Sequence, residues 1–168
     1  MPVPSYQLSY MTSEVFLIAG LPGCGKTTYL GQLCRDGWLV FDDFKIGTDA
    51  LRFRTSPRFQ NVIDALRQNG GCAVADIDFC RTEARDEAEH GLRTEVPGVK
   101  LNWLFFENDP VACELNIRNR NRDCFEQEIC YLRKYSPAYR IPHGASKLPV
   151  WQKSADGIMP ELAAENCS

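Results

Sequence analysis

Short apolar runs alternate with longer amphipathic stretches through most of the chain. Glu14-Val15-Phe16-Leu17-Ile18-Ala19 is almost continuously apolar and stops at Gly20. A strand buried on both faces reads this way, because a parallel sheet covered by helices leaves no solvent face. Lys26 to Arg35 then reads as a helix stopped by Gly37. Trp38-Leu39-Val40-Phe41 is a second strand, cut off by Asp42-Asp43. Ser56-Pro57 opens a helix to about Gln68, with Phe59, Val62, Ile63 and Leu66 on one face, and Asn69-Gly70-Gly71 ends it. Cys72 to Ala75 is a third strand running into Asp76-Ile77-Asp78. Thr82 is placed to cap a charged helix from Glu83 to about Thr94, and Pro97-Gly98 turns the chain. Val99 to Phe106 gives a fourth strand, and Asp109-Pro110 a cap with a first-turn proline for a helix toward Asn119. The charged stretch Arg118 to Asp123 leads to a helix from Phe125 to about Tyr135, and Leu148-Pro149-Val150-Trp151 is a last short strand.

Strands alternating with helices predict a mostly parallel, five-stranded sheet with helices on both faces, a three-layer α/β/α sandwich. One domain over 14–155 accounts for the pattern, with 1–13 and 156–168 as peripheral extensions. The chain has 168 residues, enough to bury a sizeable core. No apolar run approaches the roughly 20 residues that span a bilayer, and residues 1–13 carry no secretory pattern, so the expectation is a cytoplasmic protein without a membrane partner. A net charge of −3 argues against coating nucleic acid by general electrostatics and leaves a local basic groove open. The eight cysteines include no Cys-x-x-Cys pair, which points to reduced thiols packed as small hydrophobes rather than zinc ligands.

Between the first strand and the first helix lies Gly20-Leu21-Pro22-Gly23-Cys24-Gly25-Lys26-Thr27. This G-x-x-x-x-G-K-[ST] spacing has a physical purpose. Its glycines let backbone amides turn toward a β-phosphate, and the helix that follows points its positive end at the anion. Lys26 supplies a charge for the β- and γ-phosphates, and the Thr27 hydroxyl is placed for Mg²⁺. Gly20, Gly23, Cys24, Gly25, Lys26, Thr27 and Thr28 are therefore expected to bind ATP with Mg²⁺. Amide dipoles near a thiol in this loop favour its thiolate, but the stronger reading of Cys24 is a small loop residue contributing mainly backbone.

Three further features separate phosphoryl transfer from mere binding. Asp42, beyond the second strand, is placed to take the proton from an attacking hydroxyl, while Asp-Asp also suits a turn. Asp76 or Asp78, beyond the third strand, is placed to serve the metal. Arg118-Asn119-Arg120-Asn121-Arg122 offers positive charge for the moving phosphoryl group, and the region 116–136 reads as a lid. His90 and His143 have no partner pattern.

In this order the motifs resemble the small P-loop kinases of the polynucleotide-kinase and zeta-toxin type. The resemblance runs from about Glu14 to Tyr135. It rests on the phosphate loop, on Phe41-Asp42-Asp43-Phe44-Lys45, on Ala73 to Arg85, and on Trp103 to Pro110 leading into Arg118 to Arg122. It implies a P-loop NTPase fold of the nucleoside-monophosphate-kinase-like type. It makes Asp42 the general base on the acceptor, and Lys26, Arg118 and Arg122 the catalytic cations. Lys45 takes the place of a substrate-phosphate arginine, as a point charge rather than a bidentate fork. Asp76-Ile77-Asp78-Phe79 replaces an Asp-Thr-Asn-like segment, with Asp76 beside the metal and Asp78 toward the substrate. The implied activity is an ATP-dependent kinase acting on a small-molecule, nucleoside or polynucleotide 5′-hydroxyl. The alternative is an ATP-binding or hydrolysing regulatory module with no acceptor.

Overall fold

The computed structural model describes residues 12–42, 53, 56–120 and 122–152. Its strands are β1 (Glu14–Ala19), β2 (Leu39–Asp42), β3 (Gly71–Ala75), β4 (Lys100–Phe106) and β5 (Lys147–Leu148). Its helices are α1 (Lys26–Arg35), α2 (Pro57–Asn69), α3 (Thr82–Glu95), α4 (Pro110–Arg120) and α5 (Phe125–Tyr135), with a 3-10 turn at Ile77–Cys80. The five strands form one sheet in the order β2-β3-β1-β4-β5, and every pairing is parallel.

β1 lies at the centre, and Val15, Leu17, Ile18 and Ala19 are wholly buried. The unbroken apolar run is thus explained, because helices cover both faces of a central parallel strand. Phe59, Val62, Ile63 and Leu66 make the buried stripe of α2, as their spacing predicts. Gly70 ends α2 in the left-handed region at φ 75°, with its amide donating to Leu66 O. Asp109 caps α4, its Oδ1 accepting from Ala112 N at 3.0 Å.

Three local expectations need correction. Trp38 is not in a strand: its amide donates to Leu33 O at 2.9 Å, closing the end of α1, so β2 starts one residue later. Thr82 is not a cap. Arg81 occupies that position with no side-chain cap bond, and the Thr82 hydroxyl instead accepts from Arg85 Nη2. The last strand covers only Lys147 and Leu148, because Pro149 has no amide to continue the ladder. None of the seven described cysteines is in a disulfide. No described helix is long and apolar enough to cross a membrane.

Candidate active site

Three neighbouring strands end on one line. The register pairs Ile18 with Ala75 and Ala75 with Asp42. The entrance to the phosphate loop, Asp76 and Asp42 therefore follow one another along the carboxyl edge of the sheet, where open parallel sheets bind their ligands.

The loop leaves β1 and enters α1. Helical bonding begins with Tyr29 N donating to Gly25 O at 3.0 Å. The amides of Lys26, Thr27 and Thr28 thus have no acceptor within the helix and stand at its positive end. Gly23 and Gly25 hold φ of 82° and 113°, a region that strains any side chain. Their surroundings exclude one as well. A Cβ on Gly23 meets the Cys113 carbonyl and comes within 2.8 Å of Ile117 Cγ1, both on α4. A Cβ on Gly25 comes within 2.7 Å of the Trp151 side chain. The loop is therefore packed between α4 and the segment that follows β5.

Lys26 is 8% exposed. Its Nζ donates to Gly20 O at 2.7 Å and Leu21 O at 3.1 Å, and lies 4.0 Å from Cys24 Sγ. A desolvated ammonium needs such acceptors, and a phosphate offers charged ones in exchange. Cys24 is wholly buried, so the loop uses its backbone: the amide donates to Leu21 O and the carbonyl accepts from Trp151 N at 2.9 Å.

Thr27 Oγ1 donates to Asp42 Oδ2 at 2.7 Å. β3 separates β1 from β2 in the sheet, and the two residues still meet because α1 packs across both β2 and β3. The Thr27 hydroxyl is an oxygen donor that suits Mg²⁺, and the Asp42 carboxylate stands beside it. Among the described residues no group of three or more His, Cys, Asp or Glu is arranged to hold a metal. A cation held at Thr27 would complete its shell from phosphates and water, the usual arrangement for Mg²⁺, and would leave Asp42 to take a proton.

Asp76 and Asp78 sit in a different environment. Both are buried, and Asp78 N donates to Asp76 Oδ1 at 2.8 Å. Asp76 is ion-paired with Arg58 in the first turn of α2. Asp78 pairs with Arg81 at 3.0 Å and accepts from Phe53 N. Burial opposes charge on Arg81, but the Asp78 carboxylate outweighs it and lifts the guanidinium pKa. Each buried carboxylate thus has its own cation, as burial requires. Arg81 escaped notice in the sequence, although its i+3 spacing from Asp78 is the visible trace of the pair.

Arg118, exposed near the end of α4, donates to Glu114 Oε1 at 3.0 and 2.6 Å from Nε and Nη2. Arg122 lies 4.0 Å from Glu128 of α5. The arginines are thus engaged within the α4–α5 pair, while α4 reaches the loop through Cys113, Asn116 and Ile117. Those positions share one helix face, so an amide on that apolar stripe was the readable sign of Asn116. Lys45 lies outside the described residues.

No protein-family model matches the chain. A probable disease resistance protein of Arabidopsis thaliana is 29% identical over 92 residues, which are 55% of this chain and 10% of that protein. The chain thus spans about a tenth of the length of the first of its curated relatives. An uncharacterized protein of Acanthamoeba polyphaga mimivirus is 26% identical over 131 residues, 78% of this chain and 89% of that protein. Among solved structures, a gluconokinase from Sinorhizobium meliloti has a TM-score of 0.58 at 14% identity, covering 83% of this chain and 84% of its own. A fungal RNA kinase has a TM-score of 0.58 at 14% identity, covering 86% and 78%. At these identities the likeness establishes the fold, the α/β/α P-loop NTPase sandwich of the nucleoside-monophosphate-kinase-like type.

Proposed function

We propose that this chain is an ATP-dependent phosphotransferase that moves the γ-phosphoryl group of ATP to a hydroxyl acceptor. The observation that carries this reading is the bond between Thr27 and Asp42, which sets a carboxylate beside the hydroxyl that opens the helix after the phosphate loop. In this mechanism the loop amides and Lys26 hold the β- and γ-phosphates. Thr27, with Asp76 toward the water shell, would hold Mg²⁺, which would supply neutralising charge. Asp42 accepts the proton of the acceptor hydroxyl as its oxygen bonds to the γ-phosphorus and the bond to the β-bridging oxygen breaks. Arg118 and Arg122 exchange Glu114 and Glu128 for the phosphoryl oxygens as the lid over 116–136 closes. The same proposal assigns Lys45 and Asp78 to the acceptor.

The acceptor is a small molecule, a nucleoside or a polynucleotide 5′-end. Solved kinases of this fold include a gluconokinase and an RNA kinase, so the fold keeps both kinds of acceptor in view. The net charge of −3 weighs toward the small ones. A cytoplasmic location belongs to the same proposal.

The test is MgATP turnover with and without a panel of sugars, nucleosides and 5′-hydroxyl oligonucleotides. An acceptor that raises turnover and carries the phosphate afterwards establishes the kinase. Asp42→Asn is expected to slow that transfer by about 100-fold or more while ATP-analogue binding is kept. Unchanged transfer removes Asp42 from the base role. Lys26→Ala is expected to abolish ATP binding. The second reading, a regulatory nucleotide-binding module, draws on the match to one segment of a much longer disease resistance protein. Turnover that no acceptor alters selects it.

A further inference from the structure

Two consecutive peptide planes of the phosphate loop are held from outside by residues distant in sequence. Gly23 O accepts from Asn116 Nδ2 at 2.9 Å, and Cys24 N, on the same peptide, donates to Leu21 O at 3.2 Å. Cys24 O accepts from Trp151 N at 2.9 Å. In a trans peptide the carbonyl and the amide point in opposite directions. Holding Cys24 O toward Trp151 therefore turns the Gly25 amide away from Trp151, into the loop. Asn116 Nδ2 also donates to Trp151 O, so both amide protons of one side chain are used. The result is a closed ring of bonds through Asn116, Gly23, Cys24 and Trp151.

Such a ring is needed here. Gly23 and Gly25, at φ 82° and 113°, flank these planes with the residues that least resist a peptide flip. A flip at Cys24–Gly25 would aim a carbonyl at the phosphates in place of an amide.

We infer that Asn116 is a positioning residue for nucleotide binding: it fixes the Gly23 carbonyl directly and, by holding Trp151, the Cys24 carbonyl, so that the Gly25 amide faces the phosphates before the nucleotide arrives. It also fastens α4, two residues before Arg118, to that loop. The inference rests on the reading of the loop as a triphosphate site. Preorganisation of this kind raises affinity by removing an ordering cost on binding.

The experiment measures calorimetric binding of a non-hydrolysable ATP analogue with Mg²⁺, and the alkylation rate of Cys24 resolved by peptide mass spectrometry. Asn116→Leu keeps the size of the side chain and removes both donors. Asn116→Asp turns the donors into a charge facing two carbonyls. Leu92→Ala, in the buried face of α3, is the control for general destabilisation. Asn116→Leu is expected to weaken analogue binding about tenfold, from two lost hydrogen bonds, and Asn116→Asp more. In both, Cys24 becomes reactive at temperatures well below unfolding. Leu92→Ala is expected to lower the melting temperature without either effect. Analogue binding by Asn116→Leu within about twofold of wild type overturns the inference, as does Cys24 remaining as unreactive as in wild type. A wild-type protein that binds no analogue overturns the triphosphate reading itself, and Cys24 reactivity then still decides whether the ring exists.

Discussion

Tyr139 reaches across the carboxyl edge of the sheet with its hydroxyl, 3.1 Å from Ala19 O and 2.7 Å from Phe106 O. These carbonyls close β1 and β4, so one phenol binds the strand that feeds the phosphate loop to its neighbour. The side chain is 1% exposed, and burial pushes the phenol pKa far above its usual value. Tyr139→Phe removes the one proton that the two carbonyls share, the shorter bond being to Phe106 O, at an expected cost of about 1 to 3 kcal/mol in urea or thermal unfolding. A loss near zero would mean that water replaces the hydroxyl. At this scale the sequence was uneven. The phosphate loop is contiguous and chemically restricted, so its residues could be named in advance. Asn116, Tyr139 and Trp151 act through partners distant in sequence, Asn116 reaching Gly23 across 93 positions. Such roles leave at most a faint local trace, as the amide of Asn116 does on its apolar helix face. Arg81 was hidden for a related reason, since a buried counter-ion looks like a surface charge until the fold buries the carboxylate it serves; Arg58, which the sequence offers for a phosphate-bearing acceptor, pairs with Asp76 instead.

Elements read better than single residues, because hydrophobic period is repeated over many positions. α2 shows this: its apolar stripe and proline start were visible, and its left-handed glycine closes it where Asn69-Gly70-Gly71 suggested. Errors gathered at ends, where single bonds decide. Thr82 had the right chemistry for a cap, but Arg85 claims its hydroxyl. Trp38 had strand character, but its amide serves α1. The cap of α4 makes a prediction at this scale. Asp109→Ala removes the bond to Ala112 N and is expected to cost about 1 kcal/mol by thermal denaturation, with Asp109→Asn nearly neutral. Equal losses from both would show that charge at the helix end, not the hydrogen bond, carries the effect.

For the molecule as a whole, alternation of strands and helices was enough to specify a parallel three-layer sheet. It could not give the strand order, since β1 pairs with β3 and β4 rather than with the strand that follows it. That order puts β3 between the loop strand and Asp42, and the contact between Thr27 and Asp42 depends on where α1 crosses the sheet. Trp151 carries a consequence in time. A chain leaves the ribosome from its N-terminus and begins to fold in that order. The phosphate loop is translated early, yet the amide that fixes its Cys24 carbonyl arrives more than a hundred residues later. Nascent chains ending at Leu148 should therefore hold a formed sheet around an unlocked loop, with Cys24 still open to alkylation. Chains extended past Trp151 should protect it. Equal reactivity on either side of that point would show that the loop sets without its last tether. With protection, the ability to take up nucleotide becomes a late event of synthesis, withheld from partly made chains.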